Sequence, residues 1–175
     1  MRIVAILFFV LLAGCGYHVP GTSSDQAAVP DTWVGGDARV LYIQLFENQT
    51  AEPYLENYMT DALVAELSRS RLVELTENPA SADVRLVGEV KEFGSDAFAY
   101  GIDDRITEYR AEMQVSVRLL PKDSDEVLWR ESLQRSEDYP ATVNKNLQLE
   151  GERLAARQVS QRLAEDIHAG LLNSF

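Results

Sequence analysis

The chain has 175 residues, 28 of them acidic against 16 basic, for a formal net charge of -12 at pH 7, and 46% are hydrophobic. This length and apolar content suit one globular domain with a real core, and the acidity argues against nucleic acid or an anionic membrane surface as the main partner. Cys15 is the only cysteine, so no intramolecular disulfide can form and stability has to come from packing.

The N-terminus has the layout of a secretory signal: Met1 and Arg2, the apolar run Ile3 to Leu12, then small residues. About ten apolar residues are half of the roughly 20 that a helix needs to cross a hydrocarbon core, so the segment reads as processed. Leu12-Ala13-Gly14-Cys15 resembles the lipobox of bacterial lipoproteins. The resemblance implies that the Cys15 thiol is lipidated, with palmitate-type acyl chains, and becomes the new N-terminus. One acyl chain holds a protein only marginally, and no basic patch stands here as a second signal, so more than one chain is expected on Cys15. Gly16 stands where lipoproteins kept at the inner membrane usually carry Asp, which implies an outer-membrane address on the periplasmic side. The expected organisation is a signal peptide over 1–14, a lipidated Cys and tether over 15–38, and a folded domain over 39–175.

Residues 17–38 hold Pro20, Gly21, Pro30, Gly35 and Gly36 with little apolar periodicity, and read as an extended tether; Trp33 is expected to pack on the domain edge. Arg39 to Phe46 alternates as a first strand through Leu41, Ile43 and Leu45. Asn48 and Thr50 are expected to turn the chain and cap the element after them. Leu55, Met59, Ala62, Leu63 and Leu67 then form the stripe of an amphipathic helix of about 18 residues. Leu72 to Thr76 is a short extended piece. Ala82 to Phe93 is the second strand, with Gly88 as a candidate bulge, and Gly94 to Arg105 reads as a loop.

The cleanest pattern comes next. Tyr109, Ala111, Met113, Val115, Val117 and Leu119 point one way; Arg110, Glu112, Gln114, Ser116 and Arg118 point the other. A loop from Pro121 to Glu126 leads into a partner strand, Val127 to Arg135, and 136–146 reads as irregular. The last element, about Leu147 to Leu172, is a helix with Val159, Leu163, Ile167 and Leu171 on one stripe and Gly170 where it frays. The expected fold is α+β: a two-layer sandwich with a four-stranded, mostly antiparallel sheet and two helices packed on one face.

No catalytic constellation emerges. His18 and His168 lie at opposite ends of the chain without a Cys or acid at ligand spacing, so no metal and no cofactor are expected. No phosphate loop or nucleophile elbow occurs. Asp103-Asp104 is a carboxylate pair that reads as a solvated loop feature. The polar row over 110–118 is either a wet sheet face or a docking surface. A tethered chain without an active site has to act by contact.

Three segments resemble a known family. Cys15-Gly16-Tyr17-His18 is similar to the opening of the lipopolysaccharide-assembly lipoproteins, the LptE family. Phe46-Glu47-Asn48-Gln49-Thr50, with Glu52-Pro53-Tyr54-Leu55-Glu56 after it, resembles the corresponding segment of members outside the enteric bacteria. Thr107-Glu108-Tyr109 resembles the family's strand start. The resemblance covers the mature chain and implies a plug inside the outer-membrane lipopolysaccharide translocon, a β-barrel of the LptD kind, that helps this barrel assemble and binds lipopolysaccharide. Enteric members carry a basic residue in the loop before the Glu-Tyr strand; here Arg105 follows Asp103 and Asp104. Together with Arg110, Arg118 and Lys122 it is the candidate contact set for lipopolysaccharide or the barrel. The alternative reading is a lipoprotein regulator of a periplasmic cell-wall enzyme.

Overall fold

The computed structural model describes residues 39–71 and 73–173. The expected signal peptide, Cys15 and the tether lie outside the described residues. The elements run β1 (Arg39–Ile43), β2 (Glu47–Asn48), α1 (Leu55–Leu67), β3 (Val73–Thr76), a 3-10 turn (Pro79–Ser81), β4 (Val84–Tyr100), β5 (Ile106–Pro121), β6 (Trp129–Pro140) and α2 (Lys145–Asn173). They form a mixed α+β domain in which two helices pack on one face of a single sheet. α1 lies over the β1–β4 half and α2 over the β5–β6 half.

The sheet has six strands where the sequence pattern suggests four, in the order β3-β1-β4-β5-β6, with β2 continuing beside β4 where β1 stops. β1 pairs in parallel with both β3 and β4, and β2 in parallel with β4, so only the β4–β5–β6 part is antiparallel. The parallel half follows from the chain path. α1 carries the chain from the end of β1 back over the sheet, so the next strand starts at the same edge and runs the same way. The extended piece after α1 is therefore a strand, β3, and it forms the sheet's edge.

The helix stripes meet one row of the sheet. Leu55, Met59, Leu63 and Leu67 of α1 are buried, as are Val159, Leu163, Ile167 and Leu171 of α2. Between them lie Met113, Val115 and Val117 of β5, each 0% exposed. α1 is shorter than its pattern suggests, 13 residues, because Pro53 and a left-handed Tyr54 (φ 71°) hold the chain out of the helix until Leu55. The turn before it is built by Asn48: its Oδ1 accepts from Thr50 N (3.0 Å), and its Nδ2 donates to Glu52 O (2.7 Å) and Glu56 Oε2 (3.0 Å). α2 starts at Lys145, where Asn144 Oδ1 accepts from Asn146 N at 3.0 Å, an N-terminal cap.

The region 94–105 is not one loop. β4 runs on to Tyr100 and pairs with β5 along its length, so the turn is only Gly101–Arg105. The pairing register shifts between Val90 and Glu92, a bulge at Lys91. The extra residue exchanges the faces: Val84, Leu86 and Val90 are buried before it, while Phe93, Ser95 and Ala97 face the helices after it. The same continuation takes β6 through 136–140, where Ser95 Oγ and Tyr139 Oη share a 2.6 Å hydrogen bond.

Both notable glycines are points of close approach. Gly88 is not the bulge; a Cβ there would lie 2.3 Å from the ring of Phe46, which is 2% exposed. Gly170 lies within α2, where a Cβ would meet Glu131 Oε2 at 2.3 Å and Trp129 at 3.0 Å, so it lets α2 close onto β6. Glu131 is held above the ordinary carboxylate range by burial, with Asp166 nearby adding to the effect.

Gly88→Ala should lower stability by about 1–3 kcal/mol, the usual cost of overfilling a packed site. Combined with Phe46→Leu it should cost less than the two changes summed, since one removes the atoms the other strikes. Urea unfolding of the three variants measures both.

Candidate functional site

Helices cover one side of the sheet. Among the described residues no element covers the other side, whose side chains come from alternate positions of β4, β5 and β6. Across it the register sets Asp96 against Arg110, Arg110 against Asp138, Gln114 against Gln134, Ser116 against Ser132 and Arg118 against Arg130. The register also sets Glu92 against Gln114, Glu89 against Ser116 and Glu112 against Ser136, so carboxylates stand among the amides and hydroxyls of the centre, with arginines towards both ends.

The charges are mostly paired. Arg110 grips Asp138 with two bonds, Nε to Oδ1 at 2.6 Å and Nη2 to Oδ2 at 2.8 Å, and its guanidinium lies 3.4 Å over the Phe98 ring. These bonds hold the Asp138 carboxyl below the usual range and raise Arg110. Further along, Glu89 accepts from Lys91 and from Arg118 (3.4 Å), and the Lys91 bond above all lowers its pKa. Arg85 binds Asp125 at 2.5 Å. Leu45, Val87 and Leu120 join Arg85 and Arg118 around a shallow depression of about 450 Å³ on this face.

The four expected contact cations do not converge. Arg110 and Arg118 share the open face but sit eight positions apart on β5, about 26 Å at strand rise. Arg105 is exposed in the β4–β5 turn, where its carbonyl accepts from Gly101 N at 2.8 Å. Lys122 lies beyond the other end of β5 and donates to Ala80 O. Anion binding by the four together is geometrically excluded; each has a different neighbourhood. Asp103 and Asp104 are exposed beside Arg105, with Asp104 at φ 54° completing the turn. His168 joins the helices through Nδ1, 2.9 Å from Glu66 Oε1 of α1. Among the described residues no three His, Cys, Asp or Glu side chains group closely enough to hold a metal ion.

The sequence matches the LptE lipopolysaccharide-assembly family model over residues 38–171. The chain belongs to this family. The two LptE-like motifs that fall among the described residues have definite jobs in the fold. Phe46 fills the socket at Gly88, Asn48 ties the turn before α1, and Tyr109 stacks on Tyr139 at 5.7 Å. No curated relative matches the chain in sequence. Solved structures do match in shape. A Xanthomonas campestris protein is 12% identical with TM-score 0.58, covering 82% of this chain and 89% of that one. A Chlamydia trachomatis protein is 15% identical with TM-score 0.54, covering 76% and 95%. A lipoprotein B of Nitrosomonas europaea is 10% identical with TM-score 0.52, covering 79% and 86%. At these identities the likeness concerns the fold alone.

Three residues of the open face escape a pattern reading. Phe98 lies after the bulge, in what looks like loop, and Asp138 lies in the stretch that looks irregular. Arg130 stands opposite Arg118, a like-charge pair whose juxtaposition only the β5–β6 register reveals.

Because the folded pKa of Asp138 is depressed, the Arg110 pair contributes at neutral pH and is lost only as acid protonates the carboxyl below the ordinary value of 3.8. NMR titration of the Asp138 carboxyl should find that lowered midpoint, and Arg110→Ala should raise it towards 3.8.

Proposed function

We propose that this LptE-family protein is an outer-membrane lipoprotein, anchored through Cys15 on the periplasmic side. It seats in the lumen of the lipopolysaccharide-translocon β-barrel, assists that barrel's assembly and takes part in lipopolysaccharide insertion. The observation that carries the reading is a sheet face left uncovered by helices among the described residues, in a chain of the lipopolysaccharide-assembly family. Its centre of amides, hydroxyls and carboxylates, with the Arg110–Asp138 pair towards one end, suits the polar interior of a barrel. No helix among the described residues is long and apolar enough to cross a membrane, so attachment falls to the lipid and the partner. Lipopolysaccharide is a second partner in this reading, with Arg110, Arg118, Arg105 and Lys122 as separate contact candidates.

Detergent-solubilised outer membrane should yield the protein together with a large β-barrel, and depletion should reduce the correctly assembled barrel. Recovery of a cell-wall synthase with an unaffected barrel would favour the regulator reading instead. Cys15→Ser should leave the chain unprocessed or soluble in the periplasm, by fractionation and mass spectrometry of the N-terminus. A variant still fractionating with outer membrane would place attachment in protein contacts.

A further inference from the structure

Among the described residues the sheet ends in two unpaired edges, β3 and β6. β3 is 4 residues long. β6 has 12 residues, Trp129–Pro140, and pairs with β5 on its inner side in one unbroken register. A bare strand edge is a template for another strand, and proteins commonly blunt it with a bulge, a lysine or a proline. β6 has none of these before its last residue, Pro140. Arg135 and Glu137 point to the helix side, where Asp166 (2.6 Å) and Arg162 (2.8 Å) of α2 hold them. The backbone of the outer edge follows from the ladder. Ala141 N donates to Thr107 O at 2.9 Å, one step beyond the Glu108–Pro140 pair. Bonded and non-bonded pairs alternate along an antiparallel ladder, so the odd positions of β6 bond to β5, and Pro140, without an N–H, falls on a non-bonded one. Positions 130, 132, 134, 136 and 138 therefore turn their N–H and C=O groups outward. Their side chains, Arg130, Ser132, Gln134, Ser136 and Asp138, lie on the sheet face away from the helices.

We infer that β6 is a self-pairing edge: two copies of this chain join β6 to β6, antiparallel about Gln134, into one continuous sheet with all helices on one face. The inference goes beyond the plug reading and does not rest on it. The row of outward positions is complementary to its own reverse. Placed antiparallel about Gln134, it sets Arg130 opposite Asp138 of the second copy, Ser132 opposite Ser136 and Gln134 opposite its own copy. The two-fold axis makes each of the first two contacts twice. Arg130 forms no ion pair among the described residues, and its neighbour across β5 is Arg118. A second copy brings Arg130 a carboxylate. Asp138 can serve it while holding Arg110, because a carboxylate has about four acceptor sites and Arg110 takes two. The centre at Gln134 is also the one that uses the whole strand. Centring on Arg135 sets Arg130 against Pro140 and Arg135 against itself; centring on Leu133 sets Arg130 against Ser136 and leaves Asp138 beyond the strand. On the helix side the pairing brings Glu131 opposite Glu137, whose charge Arg162 already offsets. The remaining pairs there are Trp129 with Tyr139 and Leu133 with Arg135, which oppose no like charges.

The test uses the purified full-length protein in detergent. Gln134→Cys, treated with a mild oxidant, should give a disulfide-linked pair of chains that reductant separates. Gln114→Cys, one strand inward on the same face, should give none, and neither should the unaltered chain. Arg130→Glu, which sets acid against acid across the seam, should weaken self-association at least about tenfold in analytical ultracentrifugation, with the urea midpoint unchanged because Arg130 is exposed. A chain that sediments as a monomer at every concentration, with no link at 134, would overturn the inference. Equal linking at 114 and 134, or a pair that Arg130→Glu leaves intact, would overturn it too, since association would then ignore the edge. In cells expressing two differently tagged copies, benzoylphenylalanine at position 134 should join the two tags. Capture there of other proteins alone would give the edge to a different strand and sink the self-pairing.

Discussion

The long antiparallel ladder between β4 and β5 supports every other feature of this domain. Fifteen residue pairs run from Val84 and Pro121 at one end to Tyr100 and Ile106 at the other. One side of β5 supplies Ala111, Met113, Val115, Val117 and Leu119, none more than 4% exposed. Both helix stripes close on that row. Removing those side chains from water drives the two layers together, and a slip of one residue would place Arg110, Glu112 and Arg118 in the core instead. That prohibition fixes the register, and the register then decides which charges meet on the open side.

The ladder is interrupted once within its packed half, and the interruption is consequential. The bulge at Lys91 turns the second half of β4 over, so that Phe93 and Ser95 meet the helix layer while Asp96 and Phe98 join the open face. Without it Phe98 would not lie under the Arg110 guanidinium, and Ser95 would not reach Tyr139. The bulge thereby lets β4 run as a 17-residue strand to an exposed tip, well beyond the part packed under α1.

The open face and the core impose opposite demands. The core row needs apolar bulk in a fixed order, and its helices need glycine where they come close, as α2 does at Gly170. The open face keeps its polarity with charges that satisfy one another: Arg110 with Asp138, Glu89 with Lys91 and Arg118. Arg118 also stands opposite Arg130, a like-charge juxtaposition beside its bond to Glu89.

By itself the sequence determined the α+β class, the strand at 106–121, both helical stripes and their inward residues, because periods of 2 and 3.6 residues record burial directly. It also determined membership of the LptE family, through short motifs that turn out to hold a turn, a ring socket and a strand start. Tertiary structure alone decided the rest. Strand β3 is four residues long and is made a strand only by β1, which lies on the far side of α1 in sequence. Residues 94–100 alternate in burial, but their inward positions are Ser95, Ala97 and Ala99 while Phe98 and Tyr100 face outward, so hydrophobicity does not record the strand. The pairing of Arg110 with Asp138, and the separation of the four candidate cations, follow from cross-strand register between residues 28 apart and from strand length. These are relations between distant positions, and a local periodicity carries no record of them.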